Sequence, residues 1–283
     1  MQSKKRANKI FCVLFVLVSI ASFFLFTGFA SGYSTSAKSA IVLERNSGQV
    51  MFEKNADHRL PIASTTKILT AITVIENTED LNKTVTVPDV AVGVEGSSIY
   101  LQKDEKLRII DLLYGLMLQS GNDCAVALAC LTSGSVENFA LMMNATARIA
   151  GASNSHFVNP HGLHDDRHFS TARDLALITA YAMRNETFRK IVATEVYKDC
   201  PFEGRDYNRI IKNKNKILTT LEGGNGVKTG YTKEAGRCLV SSAERNGKEM
   251  ICVVLSCGPM FEESGALIET AFAEVESKDN NAR

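Results

Sequence analysis

The sequence contains no tryptophan and only 7% aromatic residues, so stacking platforms for single-stranded nucleic acid or for sugars find no support. Past a short basic leader no Lys/Arg-rich block appears, which argues against a nucleic-acid partner. With 45% apolar and 22% charged residues the composition is ordinary globular usage, excluding fibrous, collagen-like and wholly disordered classes. A length of 283 residues allows one large domain or two small ones. The formal charge of +1 hides an uneven distribution. Lys4, Lys5, Arg6 and Lys9 precede every acidic residue, and without them 28 basic residues face 31 acidic ones, a net −3.

Residues 1–30 read as an export signal. The basic stretch is followed by an uncharged, mostly apolar run of 21 residues, Ile10 to Ala30, and Gly28-Phe29-Ala30 offers small residues where a signal peptidase cuts. The run is also long enough to remain as an N-terminal membrane anchor, which is the alternative. Cys12 lies inside the run, a poor position for lipid modification. On either reading the rest of the chain works outside the cytoplasm, secreted or at the membrane face or wall, with membrane contact only through this segment. Residues 31–38 form a polar tether.

Six cysteines follow: Cys124, Cys130, Cys200, Cys238, Cys252 and Cys257. An even number in an exported chain invites disulfides, but a chain of this length does not need staples. Cys124 and Cys130 stand six apart on a predicted helix and point to different sides. A two-residue turn at Asn246-Gly247 sets Arg245 opposite Lys248, which puts Cys238 and Cys252 on opposite faces. Free thiols without catalytic or metal-binding roles are expected.

Ala40 to Leu43 and Val50 to Phe52, separated by Asn46-Ser47-Gly48, predict a β-hairpin. Apolar stripes predict helices over Ile62–Ile75, around Ile109–Met117, over Cys124–Leu131 and from Val136 to Ala147. Asn154 to Thr171 reads as loop. A helix from Thr171 to Tyr181, strands at Val227–Thr229, Cys238–Ala243 and Met250–Ser256, and a closing helix at Leu267–Val275 complete the pattern. Strands at both ends with helices between predict an α+β domain over 39–275, its antiparallel sheet built from both chain ends beside a helical lobe. Residues 276–283 read as a polar tail, with no C-terminal β-domain. A ligand site is expected in the cleft between sheet and lobe.

Three short patterns carry chemistry, each occurring once. Ser64-Thr65-Thr66-Lys67 opens a predicted helix, where free backbone N–H groups can stabilise an oxyanion. Lys67, three residues on, lies within reach of the serine oxygen. It can serve as general base only if burial or a second cation destabilises its ammonium. Lys228-Thr229-Gly230 supplies that cation on a predicted strand, and Ser120-Gly121-Asn122 stands between two helices. Alone each pattern is weak, since a serine before a helix is most often an N-cap. Their order and settings are those of penicillin-binding proteins and class A β-lactamases.

Over about Ser39 to Phe272 the chain resembles the D-alanyl-D-alanine carboxypeptidases, the low-molecular-mass penicillin-binding proteins of peptidase family S11. The similar segments are LPIASTTKILTA, GSSIYL, DLLYGLMLQSGNDCAVALA, HFVNPHGL, STARDLA, GVKTGYTKEAGRCLVSSAERNG and ICVVL. The resemblance implies a β-lactamase/transpeptidase-like fold, peptidoglycan stem peptide as substrate, β-lactams as covalent inhibitors, and no metal or organic cofactor. It makes Ser64 the nucleophile, Lys67 the base and Ser120 the proton relay. Asn122 would bind the substrate's peptide and orient Lys67. Lys228 and Thr229 would hold the terminal carboxylate, Gly230 would let substrate lie along the strand, and the Ser64 and Tyr231 N–H groups would form the oxyanion hole. Three departures stand out: Gly258 to Ser264 contains no arginine where many relatives have one, and Gln119 and Lys214 replace a frequent proline and threonine.

Rival readings are weaker. His156, His161, His164 and His168 invite a zinc site, but they sit in a loop without a recognisable ligand spacing. A β-lactamase would need a Glu-x-x-Leu-Asn loop, and Glu79-Asp80-Leu81-Asn82 is one residue short and precedes Ser120. A peptidoglycan DD-endopeptidase shares the expected site. A non-catalytic wall-binding protein should have lost Ser64, Lys67 or Lys228, and all three are present.

Overall fold

The computed structural model describes residues 32–281 except position 203, and Ser34–Arg283 forms one compact unit. The expected export signal or anchor, residues 1–30, lies outside the described residues. β-Branched and apolar runs at the two ends of the chain pair with each other, as their composition demands. β1 (Ser39–Glu44) lies between β2 (Val50–Lys54) and β9 (Lys248–Leu255), and β8 (Gly236–Arg245) and β7 (Gly224–Thr232) complete an antiparallel sheet of order β2-β1-β9-β8-β7. Asn246 and Gly247 both have positive φ, 50° and 75°, and Arg245 pairs with Lys248. Two left-handed residues match the twist of the strands they join. Ser241 opposes Cys252, so Cys238 and Cys252 do fall on opposite faces, and all six described cysteines are unpaired.

Seven of the eight residues of β9 are buried, so both faces of the sheet are covered. One cover is α8 (Met260–Asn281), which packs on β8 and β9. It begins earlier and ends later than the predicted Leu267–Val275, running through the expected polar tail. The apolar stripe of Leu267, Ile268, Ala271 and Phe272 marks only the part that touches the sheet.

The other cover is the helical lobe: α1 (Lys67–Glu76), α2 (Ile109–Leu118), α3 (Asn122–Ser133), α4 (Val136–Ile149), α5 (Ala172–Ala182), α6 (Glu186–Ala193) and the short α7 (Ile217–Thr220). Helix α1 is buried from Lys67 to Ile75 and packs against α2, α3, α4 and α5. A helix buried on every side belongs at the centre, and its polar members Lys67, Thr70 and Thr73 are buried with the rest. Thr171 caps α5 by accepting from the Asp174 amide at 3.0 Å. Helix α6 and two small hairpins, β3 (Thr84–Thr86) with β4 (Lys106–Arg108) and β5 (Val196–Cys200) with β6 (Arg209–Lys212), lie outside the predicted elements. The strands are too short to show a period, whereas α6 is amphipathic over only two turns, burying Phe188, Ile191 and Val192 on one face. Among the described residues no single helix is long and apolar enough to cross a membrane.

Candidate active site

Ser64 does not stand on the α-helix itself. A 3₁₀ turn, Ala63–Thr66, precedes α1 and carries it. The turn opens with Ala63 in a left-handed conformation, φ 48°, although it has a Cβ. Strain of this kind persists where the surroundings over-determine it. Here they do: Gly162, at φ 86°, presses so close to Ala63 that a Cβ on it would sit 2.0 Å from the Ala63 carbonyl oxygen.

From the first turn of α1, Lys67 reaches back to Ser64. Its Nζ lies 3.0 Å from Ser64 Oγ, 2.7 Å from Asn122 Oδ1 and 2.7 Å from the His161 carbonyl oxygen. Two of these partners only accept. A neutral amine has two N–H bonds and one lone pair, so Asn122 and His161 use both N–H groups and the lone pair is left for the Ser64 hydroxyl. Electrostatics favour that state. Lys67 is 0% exposed, and burial first, then the charge of Lys228, push its pKa well below 10.5.

Asn122 opens α3. Its Nδ2 donates to the Glu95 carbonyl at 2.6 Å and its backbone N–H to the Ser97 carbonyl at 2.6 Å, which fixes the side-chain oxygen on Lys67. Ser120 lies in the turn between α2 and α3, 6% exposed and itself left-handed at φ 64°. Asp123 anchors the facing loop by accepting from Ser98 Oγ at 2.5 Å and from the Ile99 and Leu101 amides at 3.1 Å each.

Strand β7 is an edge strand and forms the opposite wall. A Cβ at Gly230 would lie 3.0 Å from the Ser64 amide nitrogen and 3.1 Å from that of Thr65, so any side chain here would crowd the turn and push strand and turn apart by a few tenths of an ångström. Tyr231 beyond it is 65% exposed and Thr229 is half-buried. Lys228 is 2% exposed, donates to the Thr229 carbonyl at 2.9 Å, and has its pKa lowered to about 7 by burial and by the charge of Lys214. A cavity of about 740 Å³, bordered by Gly96, Tyr100, Gln119, Ile210 and Lys214, opens beside the Ser120 turn.

Ser64, Lys67 and Asn122 are thus joined by hydrogen bonds, Gly230 packs on the Ser64 turn, and the charge of Lys228 acts on Lys67. The segment without an arginine, Gly258 to Ser264, receives one from β8, where Arg237 stands opposite Tyr231 and reaches the Gly258 carbonyl at 3.5 Å. Of the four histidines, His161 is half-buried and His168 buried behind the Ser64 turn, while His156 and His164 lie further out. The described residues contain no group of three or more His, Cys, Asp or Glu able to hold a metal. Sequence reasoning misses the His161 carbonyl, since a backbone acceptor has no residue signature. It also misses Asp123, whose only signal is an acidic residue in the first turn of a helix.

A sequence profile of the D-alanyl-D-alanine carboxypeptidase family, peptidase S11, matches residues 28–258. A D-alanyl-D-alanine carboxypeptidase of Bacillus subtilis is 34% identical over 248 residues, covering 85% of this chain and 63% of its own length. The chain thus spans somewhat less than two thirds of that relative. A Streptomyces D-alanyl-D-alanine carboxypeptidase is 37% identical over 235 residues, covering 78% of this chain and 81% of that one. The crystal structure of the Streptomyces K15 DD-transpeptidase superposes with a TM-score of 0.80 at 33% identity, over 85% of this chain and 98% of that one. The fold is therefore of the transpeptidase type, and the chain belongs to the peptidase S11 family of D-alanyl-D-alanine carboxypeptidases.

Proposed function

We propose that this protein is a serine-type D-alanyl-D-alanine carboxypeptidase that removes the terminal D-alanine from peptidoglycan stem pentapeptides and is acylated by β-lactams. The observation that carries the reading is the three-way contact of the buried Lys67 amine with Ser64, Asn122 and the His161 carbonyl.

In this reading Ser64 Oγ attacks the carbonyl carbon of the penultimate D-alanine while its proton passes to the Lys67 lone pair. The negative charge that develops on the carbonyl oxygen is held by the Ser64 and Tyr231 backbone N–H groups. Collapse of the tetrahedral intermediate breaks the peptide bond. Ser120 passes its proton to the departing amine and is reprotonated by the Lys67 ammonium, which leaves an ester on Ser64 and a neutral Lys67. The neutral Lys67 then takes a proton from water as the water oxygen attacks the ester. It returns that proton to Ser64 Oγ as the acyl C–O bond breaks, regenerating the serine and releasing the shortened peptide. Asn122 holds the peptide on the acyl side, and Lys228 with Thr229 holds the terminal carboxylate. Gly230 leaves room for substrate along the β7 edge. Every proton and electron pair moves between these groups and water, so the reading invokes no cofactor. Its substrate calls for an enzyme outside the cytoplasm, exported by the N-terminal segment, which would also provide a membrane contact.

The test is release of free D-alanine from a synthetic stem pentapeptide by the wild type and by Ser64→Ala. Release by the first and not the second is expected, and equal release or none from either refutes the reading. An endopeptidase of Pseudomonas aeruginosa is 30% identical over 219 residues, so a cross-linked stem dimer belongs in the same assay. Faster cleavage of the dimer than of the pentapeptide would favour an endopeptidase.

A further inference from the structure

We propose that His168 is a positioning residue for the nucleophile: through the Thr66 hydroxyl it holds the Ala63 carbonyl, and with it the left-handed turn on which Ser64 stands. The inference rests on Ser64 being the nucleophile, and it adds a residue that touches neither Ser64 nor Lys67.

Hydrogen-bond accounting fixes the direction of each contact. The Val158 amide donates to His168 Nδ1 at 3.2 Å, so Nδ1 carries the lone pair and the ring proton sits on Nε2. Nε2 lies 2.8 Å from Thr66 Oγ1 and therefore donates to it. The single hydroxyl proton of Thr66 is then directed to the Ala63 carbonyl oxygen, 2.8 Å away. Thr66 is fully buried and His168 is buried, so no solvent competes for these bonds. Burial also keeps the imidazole neutral, lowering its pKa to about 4 although the Asp165 carboxylate pulls the other way.

The relay ends where an anchor is needed. Ala63 is the strained residue immediately before Ser64, and its carbonyl is also the group on which Gly162 presses. The same loop therefore acts on both halves of the reacting pair. The His161 carbonyl orients the Lys67 amine, and His168 fixes the turn that aims the Ser64 oxygen at it. The competing explanation is packing alone, since the ring also lies edge-on to Phe157, with centroids 5.5 Å apart.

The two explanations separate in the full-length protein by acylation kinetics with benzylpenicillin, resolved into non-covalent affinity and the acylation step. His168→Gln keeps an N–H donor for Thr66, whereas His168→Leu fills the space and donates nothing. The relay predicts that the glutamine variant stays within about threefold of wild type and the leucine variant loses about 10- to 100-fold in the acylation step at unchanged affinity. Thr66→Val, nearly isosteric, should show the same loss even if the leucine variant fails to fold. Thr66→Val acylated at the wild-type rate, or equal losses in the glutamine and leucine variants, would overturn the proposal. Wild-type protein that is not acylated at all would instead refute the functional reading beneath it.

Discussion

Two lysines are buried on facing walls of the same cleft, and burial penalises the charge on each. The roles proposed for them call for opposite states: Lys67 neutral to accept a proton, and Lys228 charged to hold a carboxylate. With Lys228 lowered to about 7, its charge is present below that pH and lost above it. The specificity constant reports the free enzyme. For a peptide with a free terminal carboxylate it should therefore fall above pH 7, and Lys228→Arg, whose guanidinium keeps its charge, should lack that fall. A pH profile of kcat/KM for the two proteins checks this. At this scale much was legible in the sequence. The spacing of Ser64 and Lys67 follows from helical geometry, and the need for a second cation follows from lysine chemistry. The His161 carbonyl and the left-handed Ser120 were not legible, because they depend on backbone conformation that tertiary contacts impose.

The elements that carry these residues are held by close backbone approach. Gly162 is the clearest case, since it needs both its positive φ and the absence of a Cβ. Gly162→Ala would drive a carbon into the Ala63 carbonyl or push the loop away from it. The expected outcome is a loss of about 2–4 kcal/mol in stability together with loss of penicillin acylation, read by denaturant unfolding and by intact mass. Gly230→Ala meets a looser contact, 3.0 Å to the Ser64 amide, so it should fold and lose acylation rate. Apolar period locates α1, but it continues the helix back to Ile62 and misses the 3₁₀ turn. Ala63, Ser64 and Thr66 fit a helix by composition, and only the pressure of the 156–168 loop bends them otherwise. The same limit hides β3 to β6, whose few residues pair through contacts distant in sequence.

Across the whole molecule, the segment before β1 meets the start of the last helix. Thr35 and Ser36 of the tether donate to the Glu263 carboxylate at the start of α8, with Oγ contacts of 2.5 and 2.6 Å. Burial alone would raise the Glu263 pKa, but these hydrogen bonds outweigh it and bring the value down to about 2 from 4.5. Its contribution to stability is therefore present above pH 4.5 and lost as the pH falls through about 2. Glu263→Gln should lower Tm by about 2–4 °C at neutral pH, the shift that ~1 kcal/mol makes in a domain of this size, and by less as the pH approaches 2. Thermal unfolding of both proteins across that range is the check. The α+β architecture was legible because strands at the two ends of a chain can close only on each other. The tether clip was not, since polar residues far apart in sequence give no sign that they meet. The histidine cluster illustrates the same limit: its members share a loop, yet their roles are set by which of them the fold buries.

The proposed catalysis requires an uncharged Lys67 amine to accept the Ser64 proton, and the pH dependence of the acylation rate constant with benzylpenicillin tests this most directly. A base must be neutral to act, so the rate rises with pH through the Lys67 pKa and is flat above it. Burial and the neighbouring charge of Lys228 predict that the plateau begins well below pH 10.5. A rate that still climbs about tenfold per pH unit up to that value would show an ordinary lysine and contradict the mechanism.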